Sequence, residues 1–113
     1  MGGTFFAADT VLTVTQLTEL IKDTLEGFPE IILEGEISNY RPSSSGHVYF
    51  VLKDSSAQIA ALLWRSSAAK LNFVPRDGNL VRVKGKLSVY PPRGISFSYP
   101  LHYFFSVISI NIQ

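Results

Sequence analysis

Hydrophobic and polar positions follow two different periods along the chain, and the change comes near residue 30. Before that point, apolar side chains recur at spacings of three and four, which predicts an amphipathic helix over residues 14–26. The stripe consists of Val14, Leu17, Ile21, Leu25 and Phe28. Thr13 and Gln16 have the spacing of a capping box at the start of this helix, and Gly27 with Pro29 predicts its end.

After residue 30 the period becomes two, which is typical of strands with one buried face. Four strands follow this alternation, and a fifth begins at Ile95. In the fifth strand the apolar phase slips towards Ile108, Ile110 and Ile112, which predicts a bulge or break near residues 104–105. The inward positions of the first four strands are Ile31, Leu33, Gly35 and Ile37; Val48, Phe50 and Leu52; Ile59, Ala61 and Leu63; and Val81, Val83, Gly85, Leu87 and Val89.

The connections between these strands suggest one architecture. Residues 65–71 have a composition typical of one or two helical turns, and residues 41–46 and 90–94 are loops by composition. An N-terminal helix, three strands, a short helix and two strands predict an all-β protein with helices, a five-stranded OB-fold (Greek-key) barrel. A five-stranded SH3-like barrel also fits the alternation, but the helix before the fourth strand favours the OB-fold. We divide the chain into an N-terminal segment, 1–30, and a barrel domain, 31–113.

Composition excludes several classes of protein. The chain has 113 residues, 46% of them hydrophobic and 17% charged, as expected of one globular domain. It contains no Cys, so disulfides and thiolate metal sites are excluded. The start lacks the features of a signal peptide, and the uncharged tail carries Pro100, His102 and Asn111, which argues against a spanning helix. We expect a cytoplasmic protein with no membrane contact.

The net charge of +1 conceals an uneven layout. Residues 1–36 carry a balance of −6, residues 37–94 a balance of +7, and residues 95–113 no charged side chain. Asymmetry of this kind indicates a polyanionic partner. We expect the acidic segment to lie away from the surface that binds this partner.

Outward positions of the predicted barrel combine cations with aromatic rings. Arg82, Lys84 and Lys86 share one face of the fourth strand at intervals of about 6.6 Å, close to the reach between neighbouring phosphates of an extended strand. Single-stranded nucleic acid needs such cations for its phosphates and rings for its bases. The rings are Tyr49, Trp64 and Tyr90, and two loop cations, Arg41 and Arg93, flank the same face. The alternatives are a solvated basic strand, and rings packed beneath one of the helices.

Catalytic chemistry is not indicated by the sequence. His47 and His102 are the only histidines, and no metal-binding, phosphate-binding or nucleophile motif is present. Asp54 and Asp77 occupy predicted turns, where Asp commonly stabilises the turn itself. We therefore predict no cofactor, no metal and no autonomous active site.

Several segments, in order and at matching spacing, resemble the N-terminal domain of the exodeoxyribonuclease VII large subunit. They cover about residues 11–94 and include residues 11–17 (VLTVTQL), 33–40 (LEGEISNY), 45–54 (SGHVYFVLKD), 57–59 (AQI), 64–65 (WR), 83–90 (VKGKLSVY) and 92–94 (PRG). The uncharged, aromatic-rich residues 95–113 depart from the family pattern.

The resemblance implies an OB-fold that binds single-stranded DNA for a bacterial, cytoplasmic nuclease. In that family a catalytic hydrolase region follows this domain, and small helical subunits join the large one. The chain would then position the substrate without cutting it. The resemblance adds His47 and Arg65 to the predicted site. It also agrees with the assignment of Tyr49, Lys84, Lys86 and Arg93 to that site.

Two other functions remain open at this stage. A protein-interaction or oligomerisation domain would use the barrel face or the apolar tail, and the tail could pair with a second copy to give a strand-exchanged homodimer. An enzyme would require residues that the sequence does not reveal. The predicted nucleic-acid site consists of Arg41, His47, Tyr49, Trp64, Arg65, Arg82, Lys84, Lys86, Tyr90 and Arg93.

Overall fold

A computed structural model describes residues 9–89 and 103–113. Tyr90, Arg93 and the predicted start of the fifth strand at Ile95 lie outside these residues. The elements in chain order are α1 (Val14–Glu26), β1 (Ile31–Pro42), β2 (Val48–Lys53), β3 (Gln58–Leu63), α2 (Arg65–Ala68), β4 (Leu80–Val89) and β5 (Tyr103–Ile112).

The five strands form a closed barrel in the order β1-β2-β3-β5-β4. All neighbouring pairs are antiparallel except β3 and β5, which run parallel. The barrel architecture predicted from the alternation is confirmed, with one helix before it and a short helix between β3 and β4. Closure leaves each strand with two partners, so the barrel presents no long open edge.

The core lies inside the barrel and follows the predicted alternation. Ile37, Val83 and Val107 are fully buried, and Phe50 and Phe105 are 1% exposed. They belong to one cluster with side chains from all five strands. Burial of each such side chain contributes about 1.5–3 kcal/mol, so the barrel supplies the stability on which its outer face depends.

β1 is longer than the sequence pattern suggests. It continues to Pro42, into the segment 41–46 that we predicted as a loop. An irregularity before its end explains the extension, because Asn39 adopts a positive φ of 57° and the pairing with β2 then resumes. The backbone N–H of Tyr40 donates to Asp77 Oδ1 at 2.8 Å. This contact fixes the bulged backbone against the turn before β4.

α1 forms as predicted but is only partly covered. Thr13 and Gln16 make both hydrogen bonds of the capping box. The helix packs against β4, where Ile21 is half-buried, whereas Val14 is 81% exposed. The described barrel therefore covers only part of the apolar stripe of α1. Neither helix among the described residues is long and apolar enough to cross a membrane.

The bulge predicted in the last strand lies further along than expected. Pairing of β5 with β4 is regular through residues 103–107, and the register shifts where Lys84 faces Ser109 and Gly85 faces Val107. Ile108 is the extra residue and is 45% exposed. A Cβ at Gly85 would clash with the carbonyl oxygen of Ser106 and with the Phe105 ring. The apolar phase alone could not show this close approach between backbones.

Candidate nucleic-acid interface

The closed strand order divides the predicted site residues between two sides of the barrel. β4 is hydrogen-bonded to β1 and β5, and it has no pairing with β2 or β3. Arg82 and Lys84 therefore lie on a different side from Tyr49 on β2. The sequence placed them on one continuous face.

Two of the three cations on β4 are neutralised by carboxylates, one from β1 and one from Glu30 just before it. Arg82 Nε donates to Glu34 Oε1 at 3.1 Å, and Lys84 Nζ lies 3.5 Å from Glu30 Oε1. The strand register explains the first pair, since Glu34 lies opposite Arg82. The expectation that the acidic segment lies away from the basic strand is wrong, because barrel closure brings β1 beside β4.

One row of outward positions crosses the barrel and includes three of the predicted site residues, Arg41, Tyr49 and Lys86. Arg41 lies opposite Tyr49, Tyr49 opposite Leu62, Leu62 opposite Ser106, and Ser106 opposite Lys86. Directly paired residues on one face have Cβ atoms about 4.5–5.5 Å apart. Lys86 is thus the β4 cation at the level of Arg41 and Tyr49, and three strand steps around the barrel separate it from Tyr49. We call these five positions the cross-barrel row.

Trp64 lies across this row and does not project freely into solvent. Its Nε1–H donates to Ser106 Oγ at 2.7 Å, and the residue is half-buried. Leu62 points to the same outer face but is only 2% exposed. The indole therefore links the end of β3 to β5. The alternative interpretation was a ring packed beneath a helix, and the hydrogen-bond partner of this ring lies on a strand instead. Sequence alone could not choose, because Ser106 is 42 residues away along the chain.

His47 joins the loop between β1 and β2 to the start of α2. Its Nδ1 accepts the backbone N–H of Arg65 at 2.9 Å. Its ring meets that of Trp64 edge-on, with centroids 5.1 Å apart and an interplanar angle of 83°. Gly46 has φ +91°, and a Cβ there would lie 2.7 Å from Cγ and Cδ of Arg65. The aliphatic part of Arg65 therefore packs against the glycine backbone.

The loop of residues 43–47 is internally hydrogen-bonded. The Ser43 N–H donates to the His47 carbonyl at 2.9 Å, and Ser43 Oγ donates to the same carbonyl at 2.7 Å. The Gly46 N–H donates to the Ser43 carbonyl at 3.0 Å. Ser44 and Ser45 remain exposed at the tip. These bonds give the tip a defined backbone beside Arg41 and Arg65.

Three of the predicted cations have no carboxylate partner in the described part of the chain. None of the ion pairs among residues 9–89 and 103–113 involves Arg41, Arg65 or Lys86. Tyr49, which lies opposite Arg41, is half-buried. Within the same part of the chain, no three His, Asp, Glu or Cys side chains converge as metal ligands. The arrangement offers cations and a ring, the groups that bind phosphates and stack on bases.

Sequence reasoning missed two members of this surface. Ser106 accepts the indole N–H of Trp64, and Leu62 is the buried outward position between Tyr49 and Ser106. Only the alternation around Ser106 hinted at an outward position. Tyr90 and Arg93, which we predicted to flank the site, lie outside the described residues.

Comparisons with known proteins agree with the fold and with the sequence resemblance. Residues 12–100 match a family described as "OB-fold nucleic acid binding domain". The chain is 48% identical over 90 residues to the exodeoxyribonuclease 7 large subunit of Geobacter metallireducens, covering 79% of this chain and 20% of that protein. The corresponding Bordetella pertussis protein is 47% identical over 90 residues, with 79% and 19% covered. The resemblance is confirmed, and the chain spans about a fifth of these relatives' length.

Solved structures share the architecture at low sequence identity. The mitochondrial single-stranded DNA binding protein of S. cerevisiae has a TM-score of 0.53 at 16% identity, covering 75% of this chain and 92% of that one. Asparaginyl-tRNA synthetase from Pyrococcus horikoshii has a TM-score of 0.55 at 15% identity, covering 83% and 21%. These similarities support the OB-fold over the SH3-like alternative.

Proposed function

Because the chain belongs to the family of OB-fold nucleic-acid-binding domains, we propose that it binds single-stranded DNA without sequence preference. The observation that carries this proposal is the cross-barrel row, where Arg41 lies opposite the ring of Tyr49 and Lys86 ends the row on β4. Neither cation has a carboxylate partner among the described residues. Arg65 adds a further cation beside the β1–β2 loop. The outer face of β2 and β3 and the adjoining loops are the surface on which OB-folds bind oligonucleotides.

The predicted residues take different roles in this proposal. Arg41, Arg65 and Lys86 contact phosphates, and Tyr49 stacks on a base. His47 and Trp64 support this surface from beneath. Arg82 and Lys84 contribute less, because their carboxylate partners must first be displaced. Tyr90 and Arg93 keep their predicted role as flanking contacts.

The parent function follows from the longer relatives. We propose that the chain corresponds to the substrate-binding part of an exodeoxyribonuclease VII large subunit. A catalytic region elsewhere in such a protein would hydrolyse the bound strand, and small subunits would complete the enzyme. The proposed location is the cytoplasm. The barrel domain of residues 31–113 would be the DNA-binding unit.

A fluorescence titration with oligo-dT tests this function. We expect binding at 50 mM salt that weakens steeply at 200 mM, with a slope of about −2 in log–log form for three phosphate contacts. Arg41→Ala should weaken binding, whereas Arg82→Ala, the matched control on the paired strand, should have a smaller effect. Absence of binding by the wild-type chain at low salt would refute the proposal.

An interaction domain is the second candidate function. Val11, Val14 and Ile32 are 89%, 81% and 65% exposed, so the described surface includes apolar side chains without cover from other described residues. β5 pairs with both β3 and β4 in its own barrel, so a strand-exchanged dimer would have to break existing pairing. This function predicts oligomers in light scattering and DNA binding that is weak and insensitive to salt.

A further inference from the structure

We infer that His47 is a positioning residue, whose neutral ring fixes Arg65 and the β1–β2 loop on the DNA-binding surface. The inference rests on the proposed function for its DNA readout. It assigns His47 a role different from direct phosphate contact through a charged imidazole. Three contacts carry it: a hydrogen bond to α2, a ring contact with Trp64, and the packing of Gly46 on Arg65.

The hydrogen bond supplies a cap that α2 lacks in its own sequence. The first N–H groups of a helix have no partner inside the helix. Trp64 occupies the N-cap position and makes no side-chain cap hydrogen bond. His47 Nδ1 accepts the Arg65 N–H at 2.9 Å instead. An acceptor at Nδ1 requires the neutral tautomer with its proton on Nε2.

Ring contacts hold the imidazole in this orientation. The edge-on geometry with Trp64 has a centroid distance of 5.1 Å. The indole is itself held by its 2.7 Å hydrogen bond to Ser106 on β5. A rotation of His47 would therefore disturb a chain of contacts that extends from the loop across β3 to β5. Trp64, held by β5, thus keeps the imidazole of His47 in place, and the imidazole in turn holds the first N–H group of α2.

The position of Arg65 depends on the same junction. Its side chain packs on Gly46, the residue before His47, where no Cβ could fit without moving it. Its backbone N–H is held by His47, the next residue of the loop. Two adjacent loop residues thus hold one arginine by its backbone and its aliphatic part. Arg65 as a residue is exposed to solvent, where a phosphate could reach it.

Protonation provides a readout that distinguishes positioning from direct contact. A proton on Nδ1 turns the acceptor into a donor, which then opposes the Arg65 N–H. The charged side chains near His47 are Arg41 at the end of β1 and Arg65 at the start of α2, whereas Glu36 and Lys53 pair at the opposite end of the β1–β2 ladder. Both guanidiniums stay charged between pH 8 and pH 5.5. Positioning predicts weaker DNA binding at lower pH. A direct contact between imidazolium and phosphate predicts tighter binding.

The first experiment needs no DNA. Long-range ¹H–¹⁵N spectra of the full chain at pH 8 should show His47 with Nδ1 unprotonated. On acidification to pH 5.5 the Arg65 amide should shift together with the His47 ring. An Arg65 amide that ignores this titration would overturn the inference, whether or not the chain binds DNA.

The second experiment measures oligo-dT affinity at 50 mM salt between pH 8 and pH 5.5. Loss of one hydrogen bond should lower the affinity of the wild-type chain by roughly three- to tenfold. His47→Asn retains an acceptor near the position of Nδ1 and should remove the pH dependence, whereas His47→Ala should bind weakly throughout. His102→Asn replaces the only other histidine and should keep the wild-type profile.

The outcomes separate this inference from the proposed function. Tighter binding at pH 5.5 that is lost in His47→Asn would replace positioning by direct contact. Absence of oligo-dT binding at every pH would refute the proposed function, and the spectra would still decide the role of His47. If His47→Asn fails to fold, the wild-type chain and His102→Asn still show whether oligo-dT affinity falls or rises as the pH is lowered. A fall supports positioning, and a rise contradicts it.

Discussion

At the scale of single residues, side chains that could serve a ligand also hold the backbone. Asp54 Oδ1 accepts the N–H groups of Ser56 and Ala57 at 2.8 and 2.9 Å and thereby closes the turn between β2 and β3. The sequence predicted such a turn role for Asp54. His47 and Trp64, by contrast, appeared as ligand contacts in the sequence and form a supporting junction in the structure.

The turn at Asp54 predicts a specific dependence of stability on pH. Hydrogen bonds from Ser56 and Ala57 lower the pKa of Asp54 in the folded chain. A lowered folded-state pKa adds stability above the unfolded pKa, and this contribution is lost as the pH falls through the folded pKa. Asp54→Asn, which keeps a turn acceptor but does not titrate, should therefore lose less unfolding free energy than the wild-type chain between pH 5 and pH 2.

Urea denaturation at the two pH values measures this difference. Asp9→Asn serves as the matched control, because Asp9 is exposed and accepts no hydrogen bond from the described residues. It should follow the wild-type pH dependence. Equal losses in Asp54→Asn and the wild-type chain would show that the turn does not stabilise the ionised carboxylate.

At the scale of elements, neighbouring strands decide which charges are available. The outward face of β4 has the period that a basic DNA-binding strand requires, but Glu34 of β1 and Glu30 just before β1 pair with two of its three cations. Lys86 lies beyond these pairs, opposite Ser106. The same strand thus presents a neutralised half and a free half among the described residues.

This division predicts unequal effects for two lysines on one strand face. Lys86→Ala should weaken oligo-dT binding and reduce the magnitude of the salt slope by about 0.7, the value for one phosphate contact with a single strand. Lys84→Ala should change both quantities less, because its ammonium group already has Glu30 as a partner. Titrations at several salt concentrations check both variants, and equal effects would place the DNA along the whole of β4.

At the scale of the whole molecule, closure of the barrel determines which surfaces exist. It brings β1 beside β4 and leaves β2 and β3 on another side. It also inserts the parallel β3–β5 pair, which brings Ser106 within hydrogen-bonding distance of Trp64. Closure in turn depends on close approach between backbones at Gly85. The DNA-binding surface is therefore a product of the complete barrel.

Gly85→Ala tests this dependence. The added methyl group would overlap the Ser106 carbonyl and the Phe105 ring, both part of the closing strand β5. We expect a loss of about 1–3 kcal/mol in unfolding free energy, as is typical of overpacking. Ser109→Ala, a half-buried position near the same bulge, should change it by less. Urea denaturation measures both, and an unchanged Gly85→Ala would mean that β5 can shift to admit the methyl group.

The amino-acid sequence by itself determined the local elements and the class of the fold. Short-range sequence patterns were enough to predict three features. These are the capping box of Thr13 and Gln16, the inward positions around Ile37 and Phe50, and the short helix before β4. Such patterns work because helix and strand periods record which side chains face the core. The family resemblance added the binding class.

Only the tertiary structure decided which outward residues form one surface. The pairing of Glu34 with Arg82, the support of Trp64 by Ser106 and the bulge at Ile108 all join residues far apart along the chain or depend on strand register. The identity of an outward polar residue does not reveal which residues of other strands lie beside it, because most polar side chains are equally stable in solvent. Barrel closure supplies those neighbours, and it thereby separates the neutralised face of β4 from the cross-barrel row.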